Sequence, residues 1–268
     1  FSGEAENPHY FKEFTQQSEE SARRGTDWLL KTMHRDGGCG VDIGQPTDIG
    51  CTCMVGLALM SQGNTPVEGA RSRELRQIVS FLLRTVQNMP SDDITTSTRT
   101  QLQNKIGRHA HTFFAALFLS QVIGEGWDPE PIRQALGKVV EAIERSQSSA
   151  GHWGNQSWAP TLGTVMGWVG LRGAHFAGFK VEASAESVAK HLVKQMKSKD
   201  DAVAKKALQD VLSLVTKDNT PFSQAGGEEY LAFHLITETM LQRGGAEWKA
   251  WFPVVRDKCI GVQNNDGS

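Results

Sequence analysis

The sequence predicts an all-α fold in which helices pair into hairpins and stack in two layers. A short phrase recurs: a helix-like stretch, then Gln or a substitute, then Gly, often with Trp. Its three copies end at Gly38, Gly154 and Ser268. Apolar residues recur at helical spacing and do not alternate as they would in strands. Recurrence at tens of residues indicates repeated units, none of which buries its apolar face alone.

Each predicted helix is delimited by local signals. Gly63-Asn64 is typical of a left-handed helix C-cap, and Asp128-Pro129 is typical of an N-cap followed by proline at the first helical position. The polar stretch Pro90–Asn104 is predicted to be the longest loop. The predicted helices are Phe14–Met33, Thr47–Gln62, Val67–Val86, Arg108–Ile123, Asp128–Ser146, Thr161–Ala177, Ala183–Met196, Asp201–Val215, Glu228–Arg243 and Glu247–Val262.

Two kinds of helix alternate along the chain. One kind is apolar and rich in small residues, and it begins near Asp48, Arg108, Thr161 and Glu228. The other kind is amphipathic, with charged outer positions. The apolar starts are roughly 55 to 65 residues apart, which is the length of one helical hairpin with its loops. We therefore expect two concentric rings, with the apolar helices inside and their positive N-terminal ends gathered at one mouth.

Composition limits the class of protein. The chain has 268 residues, 39% of them hydrophobic, which suffices for one large domain spanning 1–268 with residues 1–12 disordered. A net charge of −2 excludes a nucleic-acid partner, and the absence of a long apolar run predicts no membrane span. The first residue is Phe1, which favours an exported protein whose leader has been removed. Small buried thiols are predicted for Cys39, Cys51, Cys53 and Cys259.

The phrase has two clear copies, Gln147-x-x-x-Gly151-x-Trp153 and Gln263-x-x-x-Gly267, and the second copy stops at Ser268 inside a repeat. With the segment Pro46–Leu59, which looks like the start of an inner helix, these copies carry a resemblance from about Trp28 to Ser268. The chain resembles the terpenoid-cyclase and protein-prenyltransferase superfamily. That resemblance implies an α/α toroid of helical hairpins, here an incomplete ring. It also resembles small members of that superfamily with no assigned reaction.

The resemblance to cyclases implies an acid at Asp48. Triterpene cyclases of the superfamily protonate an alkene with an Asp-rich motif, and the matching place here reads Asp48-Ile49-Gly50-Cys51-Thr52, with one acid. Alkene protonation needs a carboxyl held in its protonated form by a second carboxyl. The alternative interpretation is structural, since an Asp at this place can cap the helix N-terminus.

The resemblance to prenyltransferases implies zinc held by Asp, Cys and His from inner helices. Asp48 and Cys51 are three residues apart and share a helical face. The histidines near inner-helix starts are His109, His111 and His234, and only one of the first two can face a cavity. Zinc is thus a possible cofactor, while the alternative is that each histidine belongs to the core.

Other candidates would line the mouth. Trp168 is the aromatic residue expected near a cavity, whereas Trp153 is expected to pack between hairpins. Arg108 and Glu228 begin inner helices and are predicted to line the rim, although the helix dipole alone also favours Glu at a helix start.

Two functions compete at this point. The first is a non-catalytic toroid that binds an apolar, isoprenoid-like ligand or a protein at its mouth. It is motivated by the absence of full acid and diphosphate motifs. The second is an isoprenoid-processing enzyme of the cyclase or prenyltransferase type. That enzyme would use Asp48 as acid or metal ligand, with Cys51 and His111 beside it.

Overall fold

A computed structural model describes residues 13–89, 94, 100–153, 157, 159–197, 228–243 and 245–268. Within these ranges the chain is all-helical and contains no strand, which confirms the predicted all-α class. The helices are α1 (Gln16–Lys31), α2 (Ile49–Ser61), α3 (Ser72–Gln87), α4 (Gln101–Ile106), α5 (Ala110–Val122), α6 (Pro129–Ser146), α7 (Pro160–Phe176), α8 (Glu182–Lys197), α9 (Glu228–Arg243) and α10 (Gly245–Val262). The predicted helix Asp201–Val215 and Trp158 lie outside the described residues.

Two predictions about secondary structure are wrong. The predicted loop Pro90–Asn104 contains the start of α4. Thr100 and Gln103 form a capping box there, in which the side chain of each residue accepts the backbone N–H of the other. Helix α3 begins at Ser72 and not at Val67. Residues 65–71 instead form a turn, in which the Asn64 side chain accepts the backbone N–H of Arg71.

The contacts divide the chain into two compact units: unit 1, Phe1–Trp28 with Ala202–Ser268, and unit 2, Leu29–Asp201. In unit 2, α5 packs between α2 and α7, while α3 and α6 pack against each other and against this inner layer. Nearly every side chain of α5 is buried, whereas α3 and α6 bury one face and expose the other. The apolar and amphipathic helices of unit 2 thus form two layers, as their sequences require.

Glycines let the three inner helices approach closely and show their direction. Gly56 of α2 lies against the ring of Phe118, about two helical turns beyond the contact of the α2 start with His111. Along α7, Gly163 faces the Ile106 carbonyl just before α5, and Gly173 faces Ser120 near the end of α5. Because each contact advances along both helices, α2, α5 and α7 run parallel, and their N-terminal ends lie at the same side of unit 2.

The recurring phrase adopts one turn geometry at all three places. In each turn, a backbone N–H bonds to the carbonyl four residues later: His34 to Gly38, Ser148 to His152, and Asn264 to Ser268, at 2.8–2.9 Å. The glycines of these turns, Gly37, Gly151 and Gly267, have φ between 84° and 99°. Each one packs against a backbone carbonyl of another amphipathic helix, of Gln77, Ser187 and Arg24 respectively.

The glutamine of the phrase fixes the turn to that neighbouring helix. Gln147 Nε2 donates to the Ser184 carbonyl at 3.1 Å, and Gln263 Nε2 donates to the Ser21 carbonyl at 2.9 Å. In both copies the acceptor lies three residues before the carbonyl that the turn glycine touches. Met33 stands at this place in the first copy and cannot donate such a bond. The phrase is therefore a docking element between amphipathic helices.

Unit 1 has its own core. Phe233 of α9 packs on Trp251 and Val255 of α10, and Trp251 Nε1 donates to Thr237 Oγ1 at 2.9 Å. Phe252 stacks on Trp248 with ring centroids 4.4 Å apart. None of the described helices is long and apolar enough to cross a membrane.

Candidate functional site

Asp48 stands at the start of α2 and performs the capping role that sequence reasoning weighed against catalysis. Its Oδ1 accepts the backbone N–H of Cys51 at 2.9 Å. Its own backbone N–H donates to the Cys39 carbonyl, and its carbonyl accepts the Thr52 hydroxyl. Thr52 Oγ1 also accepts the Cys39 N–H at 2.8 Å. These bonds hold the carboxylate at the junction between the first glycine turn and α2.

His111 joins Asp48 from the neighbouring helix α5. Its Nε2 lies 3.3 Å from Asp48 Oδ2 and 3.1 Å from Thr100 Oγ1. Asp48 is 2% exposed and His111 is fully buried. The buried Nδ1 of His111 has no hydrogen-bond partner among the described residues. An ionised carboxylate accepts only, so the bond from His111 requires a hydrogen on Nε2. The pair is a buried, hydrogen-bonded contact between two inner helices.

The charge state of Asp48 does not match that of an alkene-protonating acid. Burial alone raises the pKa of this carboxyl, but the hydrogen bond and charge of His111, with the Cys51 N–H and Thr100, lower it below the ordinary value of 3.8. Asp48 is therefore ionised at neutral pH, whereas protonation of an alkene requires a carboxylic acid. The side chains that bond to it are those of His111 and Thr100, and not a second carboxyl.

Cys51 is half-buried and lies on α2 one turn beyond Asp48. Burial, and then the charge of Asp48, raise the pKa of its thiol to about 12, so the thiol is protonated at neutral pH. A thiolate is the form that binds zinc or attacks a substrate. In the described part of the chain, no three His, Cys, Asp or Glu side chains are grouped so that they could hold one metal ion.

The remaining predicted residues are not gathered at this pair. Arg108 is exposed and His109 half-buried, both just before α5, and the His109 ring lies 6.3 Å from that of Phe113. His234 is exposed on α9 of unit 1, with Nε2 3.7 Å from Glu238 Oε1. Glu228 is the first residue of α9, and its side chain lies outside the described part of the structure.

The two aromatic predictions differ in their outcome. Trp153 packs between hairpins as expected: it is 3% exposed, meets Phe113 edge-on, and donates from Nε1 to the Ile143 carbonyl at 2.9 Å. Trp168 is half-buried on α7, with the guanidinium of Arg172 5.2 Å from its ring centre.

Of the four cysteines, Cys39 and Cys53 are buried, whereas Cys259 is exposed, contrary to the prediction of buried thiols.

Sequence reasoning missed Thr100 as the half-buried third member of the cluster formed by Asp48 and His111. The signal was present, since Thr100-x-x-Gln103 is a capping-box pattern that predicts a helix start inside the supposed loop. That helix, α4, contacts α5 and α7 and brings Thr100 to His111.

The bond between Asp48 and His111 predicts a specific pH dependence of stability. Because the folded-state pKa of Asp48 is lowered, its contribution to stability is complete above the unfolded value, near pH 3.8, and is lost as the pH falls below it. We expect the unfolding free energy of the wild type to fall more steeply below pH 3.8 than that of Asp48→Asn, by at most about 1.4 kcal/mol per pH unit for this one proton. Urea unfolding at pH 2.5 to 6 measures it. Parallel curves for the two proteins would contradict the assigned charge state.

Comparison with known proteins adds no relative. No protein-family description matches the chain, and no curated protein or solved structure shows significant similarity to it.

Proposed function

We propose that the chain is a non-catalytic binding module with an α/α-toroid arrangement, and that its inner helices bind an apolar, isoprenoid-like ligand. Two features support the arrangement. The inner helices α2, α5 and α7 are parallel neighbours backed by amphipathic partners. The same glycine turn docks amphipathic helices in both compact units.

One observation carries the binding function: the inner helices α2 and α7 leave some apolar side chains partly exposed. We call this set the apolar wall and define it as Met54, Leu57, Val165 and Trp168, with Met54 38% exposed. These side chains belong to helices in which more than half of the other positions are buried. Methionine and tryptophan suit an apolar ligand because one is adaptable and the other offers a large flat surface.

The charge and burial of Asp48, His111 and Cys51 favour a binding role over catalysis. Asp48 is ionised and hydrogen-bonded, His111 is fully buried, and the Cys51 thiol is protonated at neutral pH. An enzyme of the cyclase or prenyltransferase type would need a protonated carboxyl or a thiolate at the same place. Elemental analysis separates the two functions, since one equivalent of zinc in the purified protein would favour the enzyme.

The binding proposal predicts the effect of shortening Trp168. We expect Trp168→Ala to weaken binding of Nile red, a neutral apolar probe, about tenfold, because about 1.4 kcal/mol of aromatic contact is lost. Fluorescence titration measures it. Mass spectrometry of a solvent extract should show an apolar molecule that co-purifies with the wild type and is depleted in the variant.

Phe176→Ala is the matched control, since Phe176 is 80% exposed at the C-terminal end of the same helix and lies outside the apolar wall. Its affinity for Nile red should equal that of the wild type. Equal binding by Trp168→Ala and the wild type would contradict the proposal. A protein partner with an apolar helix is the competing occupant of this surface, and it is indicated if such a helical peptide binds while Nile red and extracted lipid do not.

A further inference from the structure

A second surface of unit 2, on the amphipathic side, is strongly basic. A groove of about 390 Å³ lies between α3, the first glycine turn and the loop that precedes α6. We call it the arginine groove and define it by its main lining residues, Arg35, Asp36, Arg73, Arg76, Arg84 and Trp127. Three of the arginines project from α3 at positions 73, 76 and 84, and the fourth comes from the turn. None of these residues belongs to the apolar wall or to the Asp48 cluster.

The arginine groove concentrates positive charge in a chain whose net charge is −2. It holds four guanidinium groups and one carboxylate. Asp36 uses its Oδ1 to accept the Gly38 N–H at 3.1 Å, which ties the carboxylate to its own turn. In the described part of the chain, no acidic side chain forms an ion pair with a groove arginine. Four like charges beside a single carboxylate repel one another, and a bound anion reduces that repulsion.

Two of the guanidinium groups are held in position. Arg76 Nη1 donates to the Pro66 carbonyl at 2.6 Å, and Arg84 Nη2 donates to the Asp36 carbonyl at 2.7 Å. Each bond uses one of the five N–H groups of a guanidinium, and both acceptors are neutral, so the charge is not offset. The contact of Gly37 with the Gln77 carbonyl fixes the turn that carries Arg35 against α3. The donors are thus partly preorganised for an anion, which lowers the entropic cost of binding.

The far side of the groove is aromatic. Trp127 is half-buried, and its loop is held where Gly126 lies against Val67. A volume of about 390 Å³ is within the range of small-molecule sites. It exceeds what a single inorganic phosphate fills. The chemistry and the size together select a compact organic anion with more than one charge.

We propose that the arginine groove binds a small soluble ligand that carries a diphosphate group, with the organic part of the ligand against Trp127. Guanidinium groups bind phosphate oxygens through paired hydrogen bonds, and two adjacent phosphates give all four arginines an acceptor. This inference does not depend on the apolar wall, since it concerns other helices and other residues.

Isothermal titration of the full chain with inorganic diphosphate, and with a nucleoside diphosphate as an organic diphosphate probe, tests the proposal. We expect saturable binding of both probes. Binding of inorganic phosphate and sulfate should be at least about tenfold weaker, because each offers one anionic group. The variant R73Q/R84Q should lose at least about tenfold in affinity for diphosphate. Arg133→Gln, an exposed arginine of α6 outside the groove, removes the same kind of charge and should retain wild-type affinity.

Three results would overturn the proposal: no binding of either diphosphate probe at millimolar concentration, equal losses in R73Q/R84Q and Arg133→Gln, or equal affinity for sulfate and diphosphate. Binding to vesicles that contain phosphatidic acid, without binding of free diphosphate, would overturn it in favour of a lipid surface. Circular dichroism and thermal unfolding of each variant verify folding. Arg73→Gln alone, at an exposed position with no hydrogen bond of its own among the described residues, keeps the test usable if the double variant unfolds.

Discussion

Replacement of Gly151 by alanine is expected to lower the free energy of unfolding of unit 2 by roughly 2 to 5 kcal/mol. Gly151 has φ = 84°, a conformation that costs an L-residue about 1–2 kcal/mol. A Cβ at this place would also lie less than 3.0 Å from the Ser187 carbonyl. That overpacking adds about 1–3 kcal/mol, because a backbone carbonyl of α8 must move. Urea unfolding followed by circular dichroism measures the change.

Gly124→Ala is the matched control for this prediction. Gly124 has φ = 90°, but nothing lies within 4 Å of the position of its Cβ. It should therefore show only the conformational cost of about 1–2 kcal/mol. Equal destabilisation by the two substitutions would show that the docking contact of the turn contributes nothing, and would remove the structural meaning given to the recurring phrase.

The variant Asp48→Ala is expected to lose about 3 kcal/mol of stability while retaining its affinity for Nile red. The substitution removes the cap of α2, worth about 1 kcal/mol, and it leaves the buried Nε2 of His111 without its carboxylate. Asp48→Asn should lose less, since its amide oxygen can still accept the Cys51 N–H. Thermal unfolding and Nile red titration of the same samples, below the melting temperature, measure both quantities.

Asp128→Ala provides the reference for a cap alone. Asp128 is an exposed N-cap of α6, whose side chain accepts the Glu130 N–H at 3.1 Å, so its loss should cost about 1 kcal/mol. The double variant Asp48→Ala/His111→Ala should be less destabilised than the sum of the single variants, because the two side chains are in contact. A loss of Nile red binding by folded Asp48→Ala would contradict a purely structural role and favour the enzyme.

The helices of the fold were predictable because their signals are local. Asp128-Pro129 and Gly63 delimit helices through their own backbone preferences, and the apolar runs of α2 and α5 mark them as inner helices. The start of α3 was not predictable from periodicity. Val67 has the apolar character of a first helical residue, but the Asn64 side chain bonds the Arg71 N–H and holds residues 65–71 in a turn. Such a competing side-chain bond changes the boundary without changing the pattern.

The candidate site was predictable in part. Asp48 and His111 were both identified, since each stands at the start of an apolar helix, but their pairing depends on the parallel alignment of α2 and α5. Thr100 caps the short helix α4 and contacts His111. The polar composition of this segment is typical of a loop, so α4 was not predicted. The arginine groove was not predicted, for a different reason. Its residues come from a turn, a helix and a loop that are separate in the sequence, so only the folded chain shows them as one surface.

The third copy of the glycine turn has a consequence for the order of assembly. Ser21 and Gln263 exchange hydrogen bonds across 242 positions of sequence, and Gly267 packs on the Arg24 carbonyl. Residues 263–268 leave the ribosome after every residue of unit 2, whose own contacts lie within one continuous segment, Leu29–Asp201. Helix α1 therefore stays without this partner until the whole of Leu29–Asp201 has been synthesised, and that segment can fold first.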